Sequence, residues 1–445
     1  MLIEFKVANY RSIRAEQTLS MVASNYSDEL PQNLISCDHV PGLKGTKLVK
    51  AVALYGANAS GKSNIVAALR FFVEFVRDSA TQRQLGTPTG TQPFKLDPTC
   101  LPAPSKFEIT VVINGIRTLY GIEMTRERVT SEYLVAYPNK RPQVWFERDW
   151  DAQKKKYVWS NSTEHFNHDA ALREKTREDA AFLSVAAHFD HKGAKEVVKW
   201  FRRSFKMTGS TRFPARQLGR LLSDNPELCE FFGQYVEKID LGITRLQTRA
   251  ADRIDLFRDA MQTLLHGGTH VFDAADVLRH ADTKSDSGFL SGSSMDSEVI
   301  PELLHRGAGK SEVPLDFYQE ESAGTQRYLS LLSEICAAIG SHALLVADEI
   351  EASFHPLVIH QILRIFVTAN SQPDAQLLFT THNPLLLDQT LLRRDQIWFT
   401  EKDQEGATRL YPLTDFKPRK DESLVKGYLT GRYGGIPFIP EGLKF

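Results

Sequence analysis

Cysteine and long apolar runs are scarce in this 445-residue chain. Its four cysteines lie far apart and form no C-x-x-C pair, which excludes a zinc ribbon or a disulfide framework and fits a reducing cytoplasm. The most apolar stretch, residues 328–346, is interrupted by Glu334 and His342, so we expect no membrane-spanning helix. No apolar run follows a basic region at the N-terminus, and we therefore expect no signal peptide.

An excess of charge of one sign is also missing. The 54 lysines and arginines nearly balance the 55 aspartates and glutamates, for a net charge of -1. This balance excludes a uniformly basic nucleic-acid-binding protein but leaves room for a local basic patch. With 42% hydrophobic residues, the chain is too apolar to be disordered. Its length predicts two or three domains, or one domain with a large insertion.

The apolar pattern predicts one α/β domain, split in sequence by an inserted middle part. Residues 2–8 and 49–55 predict strands, and 105–149 predicts an antiparallel meander with a hairpin at Asn114-Gly115. The period is helical from about 163 to 280. Helices are predicted at 63–77, 193–206, 226–238, 323–339 and 356–369, and a flexible loop at 282–297.

Residues 56–63 (GANASGKS) match the phosphate-loop pattern G-x-x-x-x-G-K-[ST] in full. Backbone N–H groups of such a loop face phosphate oxygens, Lys62 would neutralise the β- and γ-phosphates, and Ser63 would bind magnesium. The loop lies between a predicted strand and a predicted helix, as the motif requires. A similar run at 307–311 (GAGKS) lacks the first glycine, because position 304 is leucine, and is predicted to be an ordinary loop.

Residues 344–349 (LLVADE) form an apolar run that ends in two carboxylates. The run predicts a buried strand beside the phosphate loop in a parallel sheet. Asp348 would bind magnesium, directly or through water, and Glu349 would be the general base for the attacking water. Almost two thirds of the chain separates Ser63 from Asp348, a spacing that fits ABC-type, RecF-like and SMC-like ATPases rather than compact GTPases or kinases.

The motif order, together with NYRSI at 9–13 and YLTGRYGGIP at 428–437, resembles the RloA/AriA-like ABC-type ATPases of bacteria and archaea, relatives of the OLD and RecF ATPases. The resemblance covers roughly 1–150 and 311–445, and the middle only loosely at 237–243. It implies an α/β, ABC-type P-loop ATPase with an antiparallel β-meander and a mostly helical insertion between phosphate loop and signature. It also implies ATP and Mg²⁺ as cofactors.

The same resemblance implies roles for further residues. ESAGTQR at 321–327 has the place of the signature, which contacts the nucleotide of the opposite subunit, although Ala323 stands where transporter ATPases usually carry glycine. Residues 351–356 have the place of the loop that crosses the dimer seam, and His382 that of the switch histidine at the γ-phosphate. Gln92 is the best match to the glutamine loop. Arg11 is either a nucleotide contact or a surface charge.

The predicted site therefore has three sets of residues. The catalytic residues are Lys62, Glu349 and His382; the nucleotide-binding residues are Arg11, Gly56, Asn58, Ser60, Gly61, Lys62, Ser63, Asn64, Ser322 and Gly324; the magnesium ligands are Ser63, Asp348 and Gln92. The predicted domains are an N-terminal ATPase lobe at 1–150, a helical insertion at 151–310 and a C-terminal ATPase lobe at 311–445.

Two functions from different classes fit these motifs. The resemblance implies a cytoplasmic ATPase that forms homo-oligomers through nucleotide-sandwich contacts. It would be the sensor and scaffold of an anti-phage, toxin–antitoxin-like system, responding to a phage trigger protein and controlling a nuclease or other effector encoded nearby. The alternative is a RecF- or SMC-like clamp that binds DNA in repair. An inactive structural relative is disfavoured, because Lys62, Asp348 and Glu349 are all present.

Other features lie outside these motifs. Residues 191–220 hold nine lysines and arginines against one glutamate, with Trp200, Phe201 and Phe205 interleaved. This segment predicts a surface for nucleic acid or an acidic partner, or else a solvated helix face whose aromatics lie in the core. Two H-x-x-H pairs, at 165–168 and 188–191, lack a third ligand and are predicted to be surface residues. We expect no nuclease domain after His382.

Overall fold

The computed structural model describes the chain except residues 26–29, 83–85, 161–162, 164, 168–169, 209–214, 225, 239–241, 253–254, 256–298, 353, 370–373 and 437–445, and except several side chains of the middle part. The predicted loop at 282–297, His168, Arg212 and part of the 237–243 match lie outside the described residues. The described helices are α1 (Lys62–Asp78), α2 (Ala170–Glu174), α3 (Phe182–His188), α4 (Lys192–Arg203), α5 (Ala215–Asp224), α6 (Pro226–Lys238), α7 (Ala323–Gly340), α8 (Pro356–Ala369) and α9 (Leu424–Leu429).

The described strands form four sheets. They are β1 (Leu2–Ala8), β2 (Gln17–Ser20), β3 (Leu34–Ser36), β4 (Lys47–Val49), β5 (Ala51–Tyr55), β6 (Ser105–Ile113), β7 (Ile116–Met124), β8 (Val129–Tyr137), β9 (Gln143–Asp151), β10 (Lys156–Trp159), β11 (Phe205–Met207), β12 (Ile243–Ala250), β13 (Val299–Arg306), β14 (Glu312–Leu315), β15 (Leu344–Ala347), β16 (Gln376–Thr380), β17 (Ile397–Lys402) and β18 (Thr408–Pro412).

The chain divides into two compact units. Unit 1 comprises Met1–Met207, Ala338–Glu351 and Ile359–Phe445, and unit 2 comprises Thr208–Ala337 and Ala352–Val358. The three-part division with boundaries after residues 150 and 310 stays a prediction. Among the described residues, no helix combines the length and the hydrophobicity that a bilayer crossing requires.

Unit 1 contains a six-stranded sheet in the order β11-β15-β16-β5-β17-β18, parallel except for the edge strand β18. The strands β5, β15 and β16 are buried along their whole length, as their largely apolar sequences predict. Since these strands are parallel, their carboxyl ends lie at one edge of the sheet. The phosphate loop, Asp348 and His382 follow these three ends, so the topology gathers them.

The second sheet of unit 1 is antiparallel, in the order β10-β9-β8-β7-β6-β1-β2. Its β6–β7 hairpin turns at Asn114 and Gly115, where φ is +49° and +75°, the left-handed values that a type I′ turn needs. Helix α1 packs on this sheet, and Phe72 stacks on Phe107 with ring centroids 6.0 Å apart. The helix that begins at the phosphate loop is thus anchored in the main core.

Unit 2 contains the antiparallel sheet β12-β13-β14, against which α5 and α6 pack. The helical period predicted for 163–280 is wrong at Ile243–Ala250, which forms strand β12. Its partner β13 lies about fifty residues further along the chain, a pairing that a local pattern does not reveal. Gly219 on α5 approaches β13 so closely that a Cβ atom would lie 2.1 Å from the Val299 carbonyl oxygen.

Candidate functional site

The phosphate loop connects β5 to α1 and is fixed by two neighbouring strands. The hydroxyls of Ser60 and Thr400 on β17 share a hydrogen bond of 2.6 Å. Gly61 has φ +110°, and a Cβ atom there would lie 2.1 Å from Oγ1 of Thr408 on β18. Because both the backbone conformation and the close contact exclude a side chain, Gly61 is required for the shape of the loop.

Lys62 is buried, with 7% of its surface exposed. Its amine donates hydrogen bonds to the carbonyl oxygens of Gly56, at 2.6 Å, and Ala57, at 3.1 Å. Burial lowers the pKa of Lys62, while nearby carboxylates raise it, with Glu351 the strongest of them. A cation is therefore held inside the loop by the loop's own carbonyl groups. Asn58 and Ser63 are exposed at the same loop.

Asp348 lies where the carboxyl end of β15 meets the phosphate loop. Its Oδ1 accepts hydrogen bonds from the hydroxyls of Ser63, at 3.1 Å, and Thr380, at 2.6 Å. Thr380 Oγ1 also accepts the backbone N–H of Glu349 at 2.7 Å. Thr380 belongs to β16, which lies between β15 and β5. No role was predicted for this threonine, although it ends the apolar strand shortly before His382.

The donor set at this edge fits a magnesium ion. The Ser63 hydroxyl and the Asp348 carboxylate are hard oxygen ligands, and one hydrogen bond already brings them together. Within the described part of the chain, no group of three or more histidines, cysteines, aspartates or glutamates is arranged for a metal. Magnesium commonly takes one or two protein ligands and completes its shell with phosphate oxygens and water, which matches this pair.

Glu349 and His382 present their side chains to solvent. Glu349 has φ +49°, an uncommon backbone value for a residue with a side chain. His382 is held by Glu351, whose Oε1 accepts the His382 backbone N–H at 2.7 Å and lies 3.0 Å from Nδ1 of the ring. Sequence reasoning placed Glu351 only in the seam loop. Burial raises the pKa of Tyr55 well above its usual value, and the negative charge of Glu351 adds to this shift.

Residues 9–13 form a tight turn that is tied to the phosphate loop. The Ser12 hydroxyl accepts a hydrogen bond from the Asn64 side chain at 2.6 Å and shares one with Thr408 at 2.8 Å. Arg11, which precedes Ser12 in this turn, is exposed and donates its backbone N–H to the Gln92 carbonyl at 2.6 Å. The contacts of the described residues thus join Gln92 to Arg11, but not to Ser63 or Asp348.

The predicted signature residues lie in unit 2, at the beginning of α7. The Ser322 hydroxyl caps the helix by accepting the Thr325 backbone N–H at 3.0 Å. Ser322 is exposed, and Gly324 follows it in the first turn. The preceding Glu321 is buried, and its carboxylate lies 2.6 Å from Nε2 of His305 on β13. The hydrogen bond between Ser322 and Thr325 is an ordinary helix cap. Because Ser322 is exposed, its hydroxyl is also accessible to a ligand.

A family model described as "AAA domain, putative AbiEii toxin, Type IV TA system" matches residues 51–388, which include both the phosphate loop and His382. The chain belongs to this family. No curated protein matches it. Membership in this AAA family confirms a P-loop ATPase domain and the predicted resemblance to RloA/AriA-like ABC-type ATPases.

Solved structures of SMC heads are similar to this AAA family member. An SMC head bound to the C-winged helix domain of ScpA is 12% identical, with a TM-score of 0.45, and the match covers 92% of this chain and 97% of that one. The SMC head domain from Thermotoga maritima is 13% identical, with a TM-score of 0.38, 92% and 98% of the two chains being covered. The predicted α/β fold with an antiparallel meander is confirmed by the parallel and antiparallel sheets of unit 1.

Proposed function

We propose that this chain binds ATP with Mg²⁺ and hydrolyses the ATP to ADP and phosphate. One observation carries the proposal: the Ser63 hydroxyl, at the beginning of α1, donates to the Asp348 carboxylate at 3.1 Å, with Glu349 next to it. Two motifs separated by most of the chain are thereby joined at one sheet edge. Such an edge of parallel strands is where open α/β sheets bind their ligands.

Each group of residues in the site has its own role in the proposed reaction. The loop N–H groups and Lys62 bind the phosphates. Ser63 and Asp348 would hold the metal, which would neutralise charge at the phosphates. Glu349 takes the proton of the attacking water. His382, oriented by Glu351, donates a hydrogen bond to the γ-phosphate. The assignments of Gln92 to the metal and of Arg11 to the nucleotide stay predictions.

We further propose that ATP joins two copies of the chain. The exposed Ser322 hydroxyl and the N–H groups of the first α7 turn would contact the γ-phosphate bound by the second copy, since a helix N-terminus favours anions. ATP affinity and self-association must then strengthen each other. Homo-oligomers of the chain would form only with nucleotide present.

Substitution Ser322→Arg tests this assembly. The long cationic side chain should block the contact with the second copy, so ATP-dependent self-association in sedimentation should be lost. Binding of ATP to the single subunit should stay within about twofold of wild type, because Ser322 belongs to unit 2 and not to the phosphate loop. Ser311→Arg, at another exposed serine of unit 2, is the matched control. Wild-type association of Ser322→Arg would refute the signature assignment.

We propose that this nucleotide switch serves anti-phage defence, as the sensor and scaffold of a toxin–antitoxin-like system with a separate effector. The family description, which names a toxin and a Type IV TA system, supports this role. The chain would work in the cytoplasm, answer a phage trigger protein and control an effector, such as a nuclease, encoded nearby.

Purification of tagged Glu349→Gln protein from its own host in ATP tests the effector. Mass spectrometry should find one stoichiometric protein encoded next to this chain, and the same protein should be missing from the Lys62→Ala preparation. Co-purifying DNA and repair proteins without such a neighbour would overturn the defence role and favour the RecF- or SMC-like clamp.

A further inference from the structure

A basic cavity of about 510 Å³ lies in unit 1, away from the residues of the candidate nucleotide site. It is formed by the end of α1, by α3 and by α4. Five cationic side chains line it, together with one carboxylate: Arg77, Lys195, Lys199, Arg202, Arg203 and Glu196. A volume of this size accommodates a small ligand or a short stretch of a polymer.

The charges of this basic cavity are poorly compensated within the protein. Among the described residues, Lys195 pairs with Asp190 at 2.8 Å, whereas Arg77, Lys199, Arg202 and Arg203 have no ion-pair partner. The Nε atom of Arg77 is buried and has no hydrogen-bond partner in the part of the chain that the structure describes. The single carboxylate, Glu196, accepts a hydrogen bond from Asn114 at 3.2 Å.

The cationic side chains along helix α4 do not, taken together, stabilise the helix. Lys195, Lys199 and Arg203 follow one another at intervals of four residues, and like charges at this spacing repel. The first turn of α4 contains lysines and no acidic residue, although the positive end of a helix favours anions. Only Arg202 and Arg203, in the last turn, suit the helix dipole. An arrangement that costs stability locally is expected where a ligand offsets the cost.

The apolar side of α4 limits what the cavity recognises. Trp200, Phe201 and Phe205 are buried in the main core of unit 1, so these aromatic rings do not stack on nucleic-acid bases. Helix α4 ends at Arg203, and Phe205 begins strand β11. Two interpretations were predicted for residues 191–220. The aromatic side chains agree with the second, in which they lie in the core. The side chains of α4 that remain exposed at the cavity are mainly cationic, and they do not recognise particular bases.

We propose that this cavity is a phosphate-binding site, separate from the nucleotide site and going beyond the proposed ATPase function. Three guanidinium groups, from Arg77, Arg202 and Arg203, offer the planar pairs of N–H donors that match phosphate oxygens. Phosphates of a nucleic-acid backbone and of a free polyphosphate share this chemistry. Arg77 is in the last turn of α1, the helix whose first residue is Lys62, so one rigid element of 17 residues, about 25 Å long, joins both sites.

Charge reversal in the variant Lys199→Glu/Arg202→Glu tests this site. The matched control, Lys155→Glu/Lys420→Glu, changes the net charge equally at two exposed lysines of unit 1 outside the cavity. Two probes are titrated in saturating MgADP, which fills the phosphate loop equally in all proteins: a fluorescent 20-base-pair duplex DNA and inorganic pyrophosphate. We expect at least about a tenfold loss of affinity in the cavity variant and none in the control.

The two probes distinguish the source of the phosphate. One outcome is that the wild-type protein binds the DNA and that the slope of log K against log salt concentration is smaller by about 2 in the cavity variant. This outcome supports a nucleic-acid backbone as the ligand. Binding of pyrophosphate, lost in the same variant, supports a free polyphosphate. The proposal is overturned if neither probe binds the wild-type protein, or if the cavity variant binds both as tightly as the control variant. Because the nucleotide-site residues are unchanged, failure here leaves the proposed ATPase function intact.

Discussion

Glu349→Gln is expected to lower kcat for ATP hydrolysis by about 10²- to 10⁴-fold while leaving ATP binding intact. Glutamine has nearly the same shape as glutamate but does not accept a proton from water. The Glu349 side chain is exposed, so its exchange removes no contact from the core. Its backbone N–H would still donate to Thr380, which keeps the loop in place. Phosphate release in a single turnover measures the loss, and binding of a fluorescent ATP analogue measures what remains.

Glu351→Gln is the matched control, two residues away on the same loop. Its amide oxygen would still accept the His382 backbone N–H, and only the charge beside the histidine ring and Lys62 would be removed. We expect this variant to lose much less activity than Glu349→Gln, because it acts through the position of His382. If Glu351→Gln were the inactive protein and Glu349→Gln the active one, the general base would be Glu351.

The parts of the fold that depend on neighbouring residues were predicted from the sequence. Strand β5, the phosphate loop and helix α1 follow one another within thirty residues, and the strand is apolar throughout while the helix is amphipathic. The β6–β7 hairpin was predicted from Asn114-Gly115, because few other dipeptides take the two left-handed conformations easily. In both cases a local preference and the final fold agree.

Several contacts between distant parts of the chain were not predicted. Thr400 and Thr408 fix the phosphate loop from strands β17 and β18, and no pattern around them indicates this role. Thr380 donates a hydrogen bond to Asp348 because β16 lies next to β15. Only the order of the strands in the sheet shows that these two strands are neighbours. Strand β12 was taken for part of a helical region, because its partner β13 follows after a long segment. Each of these contacts is decided by tertiary pairing rather than by propensity.

Lys62→Ala is expected to weaken ATP binding by roughly 100-fold, or about 2.8 kcal/mol. This value lies at the upper end of the 1.5–3 kcal/mol that a hydrogen bond to a charged group contributes. A high value is justified because the amine is buried and, among the described residues, donates hydrogen bonds to two loop carbonyls only, those of Gly56 and Ala57. A phosphate anion that replaces these neutral partners gains an interaction that water screens little.

Thermal unfolding with and without MgATP measures this effect. At an ATP concentration of 100 times the wild-type Kd, ligand binding should stabilise the wild-type protein by about 2.7 kcal/mol. In Lys62→Ala the same concentration equals the new Kd, and the gain falls to about 0.4 kcal/mol. Lys402→Ala is the matched control, since Lys402 also donates to a glycine carbonyl, that of Gly406 at 2.9 Å, outside the phosphate loop. Equal stabilisation of Lys62→Ala and Lys402→Ala by MgATP would show that Lys62 does not bind the phosphates.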